Sequence, residues 1–392
     1  MNYKVLIMTL SSVTVGLVEL IVGGVLPVIA EDFQVSIGAA GQLITVFALV
    51  YAISGPVLLS LTAKVERKKL YMIMLAIFCA GNILTYFSQT FTWMMIARVI
   101  TAMSAALVIV LSLTITAKIV SPAHRAKSLG LIYMGVSSAL VLGVPIGIVL
   151  TDALNWRIIF MGIAVLSIIC LILIYKFLDR IPTDSVLPLS AQIRSLANVK
   201  IVSAHMAMAF MLAGHYTLYA YFTPFLKAMM NMNSYWISVS YFLFGVAAIS
   251  GGALGGALAD WMGSKKSILI VISSFAVTLL VLPYFTFSLP LFLLMMMLWG
   301  ALSWALSPAM QNYLIETDPK GADIHQSINN SAIQVGIAIG SGIGALVIEH
   351  TGMVERTTVT GSLVVVVSLL CAIVSLAMTA NQSFGAVQKK RG

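Results

Sequence analysis

Twelve runs of about twenty apolar residues, separated by short turns that carry most of the charge, fill this chain and leave few folds open to it. A helix needs roughly 20 apolar residues to cross the ~30 Å hydrocarbon layer of a bilayer. The runs cover approximately 5–28, 39–62, 70–88, 94–117, 128–150, 158–178, 201–226, 236–258, 267–286, 291–315, 327–349 and 357–379. Only 9% of the 392 residues are charged, and 60% are hydrophobic. A soluble domain carries about 25% charged residues to cover its surface, so a soluble enzyme is excluded, and the turns leave no room for a large extramembrane domain. Because lipid cannot satisfy backbone polar groups, spans of this length must be helical. The expectation is an all-α membrane protein. The first run, Val5 to Pro27, is longer than a signal-peptide core and reads as a retained helix. Cys79, Cys170 and Cys371 each lie in an apolar run without CxxC or histidine spacing, so neither a disulfide framework nor a metal site is expected.

The basic residues orient the spans. With a cytoplasmic N-terminus, all but four of the 22 lysines and arginines fall on the cytoplasmic side; the exceptions are Arg98, Arg157, Lys227 and Arg356. This positive-inside asymmetry places both termini in the cytoplasm. It also accounts for the net charge of +9 without a nucleic acid, since the charge is spread over loops that face lipid headgroups.

A shift of 197 residues lays the chain on itself. Pro27 then aligns with Pro224, Gly55 with Gly252, Lys68 and Lys69 with Lys265 and Lys266, Pro122 with Pro319, and Gly143 and Gly147 with Gly340 and Gly344. Six spans per copy keep the same membrane orientation, so the copies should be related by an axis along the membrane normal. The expected organisation is a six-helix bundle over 1–178, a cytoplasmic linker over 179–200, and a second six-helix bundle over 201–392.

Several short motifs fall on this frame. Gly256, Asp260, Gly263, Lys265 and Lys266 form G-x-x-x-D-x-x-G-x-K-K after the second span of the second half. In the first half Leu59, Ala63 and Glu66 replace the small and acidic positions, and only Arg67, Lys68 and Lys69 remain. Gly135, Gly143, Pro145 and Gly147 give G-x7-G-x-P-x-G in span five, where glycines admit a close neighbour and proline bends the axis. Arg98 precedes the small residues Ala102, Ser104 and Ala105, and Trp156, Arg157 and Phe160 open span six. Together these motifs resemble the major facilitator superfamily, and the span-five pattern resembles its proton antiporters. The resemblance implies two pseudo-symmetric six-helix bundles, a gating or hinge role for Gly135, Gly143, Pro145, Gly147, Asp260 and Lys265, and a central site opened alternately to each side. The runs 16–24, 213–222 and 334–344 are similar to the PbuE-type purine efflux pumps of Gram-positive bacteria, which implies proton-driven export of purine bases or nucleosides across a bacterial plasma membrane.

Within the spans, polar residues are few. Glu19 is the one acidic residue deep in a predicted span, about 12 Å from its outer end at ~1.5 Å per residue. An ionised carboxylate there costs at least ~2.5 kcal/mol and must be paired, hydrated or protonated. It is expected to carry the coupling proton; the plainer reading is a permanent pair with Arg98, and the two merge if the pair breaks during transport. The repeat maps Glu19 onto Tyr216, beside His215, which would bind a purine edge, move a proton or tie two helices. His205 reads as structural. The resemblance places first and seventh spans at the cavity, and a planar heterocycle wants aromatic faces and amide edges. Tyr219 and Tyr221, Trp299 and Trp304, Gln311 and Asn312, Asn329, Asn330, Ser331 and Gln334, and Gln42 supply these types. Packing is the plainer role for each aromatic taken singly, whereas the intramembrane amides are rarer.

The reaction expected is exchange of a cytoplasmic purine for an external proton, with no cofactor and a monomeric protein. No P-loop, HExxH or GxSxG pattern occurs. Efflux of drugs or sugars on the same scaffold is the alternative.

Overall fold

A computed structural model describes residues 3–183 and 198–378. Most of the 179–200 linker, including Arg194, and the basic tail Lys389, Lys390 and Arg391 lie outside the described residues. Among those described, regular structure is helical throughout, and twelve helices are long and apolar enough to span a membrane.

The helices are α1 Tyr3–Asp32, α2 Ile37–Leu61, α3 Arg67–Tyr86, α4 Phe91–Ile119, α5 Pro122–Ser138, α6 Val144–Ala153, α7 Trp156–Phe177, α8 Val199–Tyr219, α9 Phe222–Met230, α10 Ser234–Met262, α11 Ser264–Val281, α12 Leu289–Thr317, α13 Ala322–Thr351 and α14 Arg356–Ala377. Side-chain oxygens start several of them by accepting exposed backbone N–H groups. Ser36 accepts from Ala39 at 3.0 Å, Asn155 from Arg157 at 2.9 Å and Asn198 from Lys200 at 3.0 Å.

Two predicted spans are broken where continuous helices were expected. The fifth passes through a π-helical turn, Ala139–Gly143, directly before the turn containing Pro145. A missing proline N–H and the widened turn explain each other. The seventh, expected to run to 226, ends at Tyr219 and restarts as α9. Pro224 lacks the N–H that would bond the Ala220 carbonyl, so it sits instead in the first turn of a new helix.

The chain clusters into two compact units. The first comprises Met1–Val186 with Tyr221–Gly245; the second comprises Leu187–Ala220 with Val246–Gly392. In the first, α1 is central and packs on α2, α4, α5, α6 and α7. A Cβ added at Gly135 would lie 2.6 Å from the Thr9 carbonyl oxygen, and one at Gly16 would lie 2.8 Å from that of Val136, so these glycines set the α1–α5 spacing. In the second unit α8 is central, packed on α12, α13 and α14. A Cβ at Gly340 would come 2.1 Å from the Ala213 carbonyl oxygen. The 197-residue shift carries Gly16 onto Ala213 and Gly143 onto Gly340, so both units build their central contact from repeat-related positions.

The repeat also appears in the backbone. Gln34 and Asn231, 197 residues apart, are the two non-glycine residues with positive φ among those described, at 53° and 48°. That conformation is uncommon outside glycine, and its recurrence at one offset marks the same turn in each copy.

Candidate functional site

In the first unit the membrane-embedded charges gather where α1, α2 and α4 meet. Arg98 on α4 is fully buried. Its Nη1 donates to the Val18 carbonyl at 2.8 Å and its Nε to the Leu43 carbonyl at 3.2 Å, while the guanidinium carbon lies 4.1 Å from the Phe47 ring centroid. A planar five-donor group on an aromatic face suits this three-helix junction as a lysine would not. Glu19, the next residue after Val18, is half-buried and interacts electrostatically with Arg98. The arginine thus supplies positive potential beside the carboxylate while spending hydrogen bonds on backbone.

The glycines of the fifth span pack against α1. A Cβ at Gly143 would meet Leu17 Cδ2 at 2.1 Å, and one at Gly147 would meet Ile21 Cδ1 at 2.2 Å. Leu17 and Ile21 bracket Glu19, so the π-helical turn and Pro145 abut the segment of α1 that holds the carboxylate.

The second unit contains a buried aromatic cluster centred on His215 of α8. Its ring stacks on Tyr219 with centroids 5.1 Å apart and planes at 23°, and it lies 5.2 Å from Trp299, 5.2 Å from Tyr216 and 5.9 Å from Phe275. Trp299 and Phe275 are fully buried. His215, Tyr219 and Trp299, drawn from the sequence as separate candidates, therefore form one group. Tyr216 and Phe275 belong to it as well. Phe275 gave no sequence signal, because α11 is apolar on every side.

The other candidates are placed as follows. Trp304 is five residues beyond Trp299, about 140° around α12, and is 37% exposed. Gln311 Nε2 donates to Ser307 Oγ at 3.2 Å within α12. Gln334 is buried and Asn330, one turn earlier on α13, is half-buried; Gln42 is half-buried on α2 in the first unit. Tyr221 is outside the cluster, packed in the first unit against Gly41, where a Cβ would sit 1.9 Å from its hydroxyl. His205 neighbours His325 with ring centroids 5.8 Å apart, and His325 Nε2 meets Asp318 Oδ2 at 3.1 Å.

The two copies of the loop motif differ physically. Gly263 has φ +85°, a conformation that suits glycine, and opens α11. Its repeat partner Glu66 has φ −56° and instead caps α3, accepting the N–H groups of Lys68 at 2.9 Å, Lys69 at 2.8 Å and Ile181 at 2.7 Å. Lys68 Nζ donates to the Tyr175 and Leu178 carbonyls. Partial burial pushes the Glu66 carboxyl up, but the three N–H donors and the Lys68 charge outweigh it and hold it below its ordinary value. The loss of the glycine thus brings a tie between α3 and the start of the linker. Trp156 and Arg157 make a second tie: Trp156 Nε1 donates to Asp32 Oδ2 at 3.3 Å, Arg157 Nη1 pairs with the same oxygen at 2.6 Å, and Arg157 Nη2 donates to the Ser88 carbonyl at 2.9 Å.

Known proteins match over nearly the full chain. The Major Facilitator Superfamily profile matches residues 8–323. The uncharacterized MFS-type transporter YbcL of Bacillus subtilis (strain 168) is 33% identical over 95% of each chain. The inner membrane transport protein YdhP of Escherichia coli (strain K12) is 26% identical, over 95% of this chain and 96% of its own. A probable sugar efflux transporter of Helicobacter pylori (strain P12) is 26% identical over 89% of each. In structure, a bacterial homologue of the human lysosomal transporter Spinster, inward-facing and occupied, superposes with a TM-score of 0.75 at 17% identity, over 98% of each chain.

Proposed function

The chain belongs to the Major Facilitator Superfamily and is a multi-pass membrane transporter; from that premise we propose that it exports purine bases or nucleosides across a bacterial plasma membrane in exchange for protons. The observation that carries the reading is the buried cluster in which His215 stacks on Tyr219 at 5.1 Å beside Trp299. Aromatic faces favour planar heterocycles by ~1–3 kcal/mol per stacked base, and histidine adds a ring nitrogen able to bond the heterocycle edge. Gln334 and Asn330 supply amides of the kind that read adenine N6 and N7.

Glu19 is the coupling carboxyl. Arg98 interacts electrostatically with it, and a carboxyl so placed within a span can take up and release a proton as its hydration and its contact with Arg98 change during the cycle. Arg98 positions α1 around it. The π-helical turn with Gly143, Pro145 and Gly147 lets the adjoining span flex, and Asp260 with Lys265 bears on the opening of the cytoplasmic side. Both termini are cytoplasmic, the transporter works as a monomer, and no cofactor enters the cycle.

Sugar efflux is the second reading, favoured by relatives such as the probable sugar efflux transporter of H. pylori. Proteoliposomes with an acidic lumen separate the two. Labelled adenine accumulating inside as protons leave supports purine antiport. Accumulation of a labelled monosaccharide with no response to adenine replaces it with the sugar reading, and no gradient-driven uptake of either overturns proton-coupled export of both.

A further inference from the structure

The second unit carries an apolar surface groove of about 480 Å³, lined by α10, α11 and α12. Its origin is the close contact of α10 and α12. A Cβ at Gly251 would lie 1.9 Å from the Ala301 carbonyl oxygen and one at Gly255 2.1 Å from that of Ala305, so the two backbones touch and no side chain fills the seam. The large residues around it, Leu254, Trp261, Ile270 and Leu298, are 63%, 81%, 46% and 45% exposed. In a membrane-spanning chain such surfaces meet lipid. The lining offers hydrocarbon almost throughout, which suits an acyl chain and gives no hold to a polar solute.

One end of the groove is marked by charge. Trp261 closes α10, and tryptophan is enriched at the level of lipid headgroups. Lys265 and Lys266 follow in the first turn of α11, both exposed. Lys266 is four residues before the lining residue Ile270 and so shares its helix face. Two carboxylates are nearby. Glu316 accepts the Ser264 hydroxyl at 3.4 Å, and Ser264 is about 200° around the helix from Lys266. Lys265 and Asp260 are exposed alongside Lys266, so the stretch where α10 passes into α11 carries two lysines and one carboxylate.

We propose that this groove is a binding site for one anionic phospholipid, its acyl chain lying along Gly251–Trp261 and its phosphate held by Lys265 and Lys266. Lysines near the surface attract anionic headgroups by about 1 kcal/mol each, and the pull of two, partly offset by Asp260, predicts about tenfold preference over a zwitterionic lipid of the same chain length.

The test is native mass spectrometry of the full-length, detergent-solubilised protein with equal amounts of phosphatidylglycerol, phosphatidylethanolamine and phosphatidylcholine of matched chains. The wild type should retain one phosphatidylglycerol about tenfold better than either other lipid. K265Q/K266Q should bring the three lipids to within about twofold. Ala257→Trp, which fills the groove from α10 with both lysines intact, should lose the adduct, and Leu298→Trp tests the same space from α12 if the first variant does not fold. Equal retention of the three lipids by the wild type would overturn the site. So would a preference that survives the lysine substitutions, or one that survives whichever groove-filling variant folds.

Discussion

Arg98 Nη1 donates to the carbonyl of Val18 at 2.8 Å, one residue before the embedded carboxylate Glu19. The arginine therefore fixes the backbone of α1 where the proposed coupling group is attached, and its Nε does the same for Leu43 of α2. Arg98→Ala should cost about 3 kcal/mol by stranding buried carbonyls. Arg98→Lys, with one ammonium for two diverging acceptors, should recover less than half of that. Thermal unfolding in detergent checks both variants.

Close-packed glycines should be intolerant in a way that open ones are not. Gly340→Ala brings a methyl 2.1 Å from the Ala213 carbonyl oxygen, so the α8–α13 contact must widen. The expected loss is about 1–3 kcal/mol. Gly252 has nothing within 4 Å of its Cβ position, and Gly252→Ala should be neutral or stabilising by up to ~1 kcal/mol. Equal melting temperatures for the two variants would contradict the assigned spacing.

Glu66 gives a pH signature. Its folded value is below the ordinary 4.5, so the unfolded state binds protons more readily. The stability it contributes is complete above about pH 4.5 and is lost as pH falls through the lower folded value. The melting-temperature gap between wild type and Glu66→Gln should therefore be present at pH 7 and shrink as the pH is taken below 4.5. A gap that grows on acidification would show the sign to be wrong.

The twelve spans, their order and the 197-residue repeat were legible because hydrophobic runs and turn residues record them directly. Breaks within spans were not, since Pro145 and Pro224 announce a disturbance without saying whether the helix widens or restarts. Site assembly was harder still. His215, Tyr219 and Trp299 converge, while Trp304, of the same type and on the same helix as Trp299, does not. Where a helix is apolar all round, composition carries no angular information. Glu66 read as a lost glycine because a tie to Ile181 requires knowing where residue 181 lies.

The amides of α13 should matter to ligand more than to fold. Replacing Asn330 and Gln334 together with leucine should weaken purine binding by about tenfold or more, while the melting temperature changes little. Unaltered adenine affinity by equilibrium binding would remove these residues from the site.

Proton coupling through Glu19 is decided by Glu19→Gln in proteoliposomes with an acidic lumen. The wild type should accumulate labelled adenine against its gradient, and the variant should bind adenine and exchange it across the membrane without accumulating it. Gradient-driven accumulation by Glu19→Gln at the wild-type level would rule out Glu19 as the coupling carboxyl.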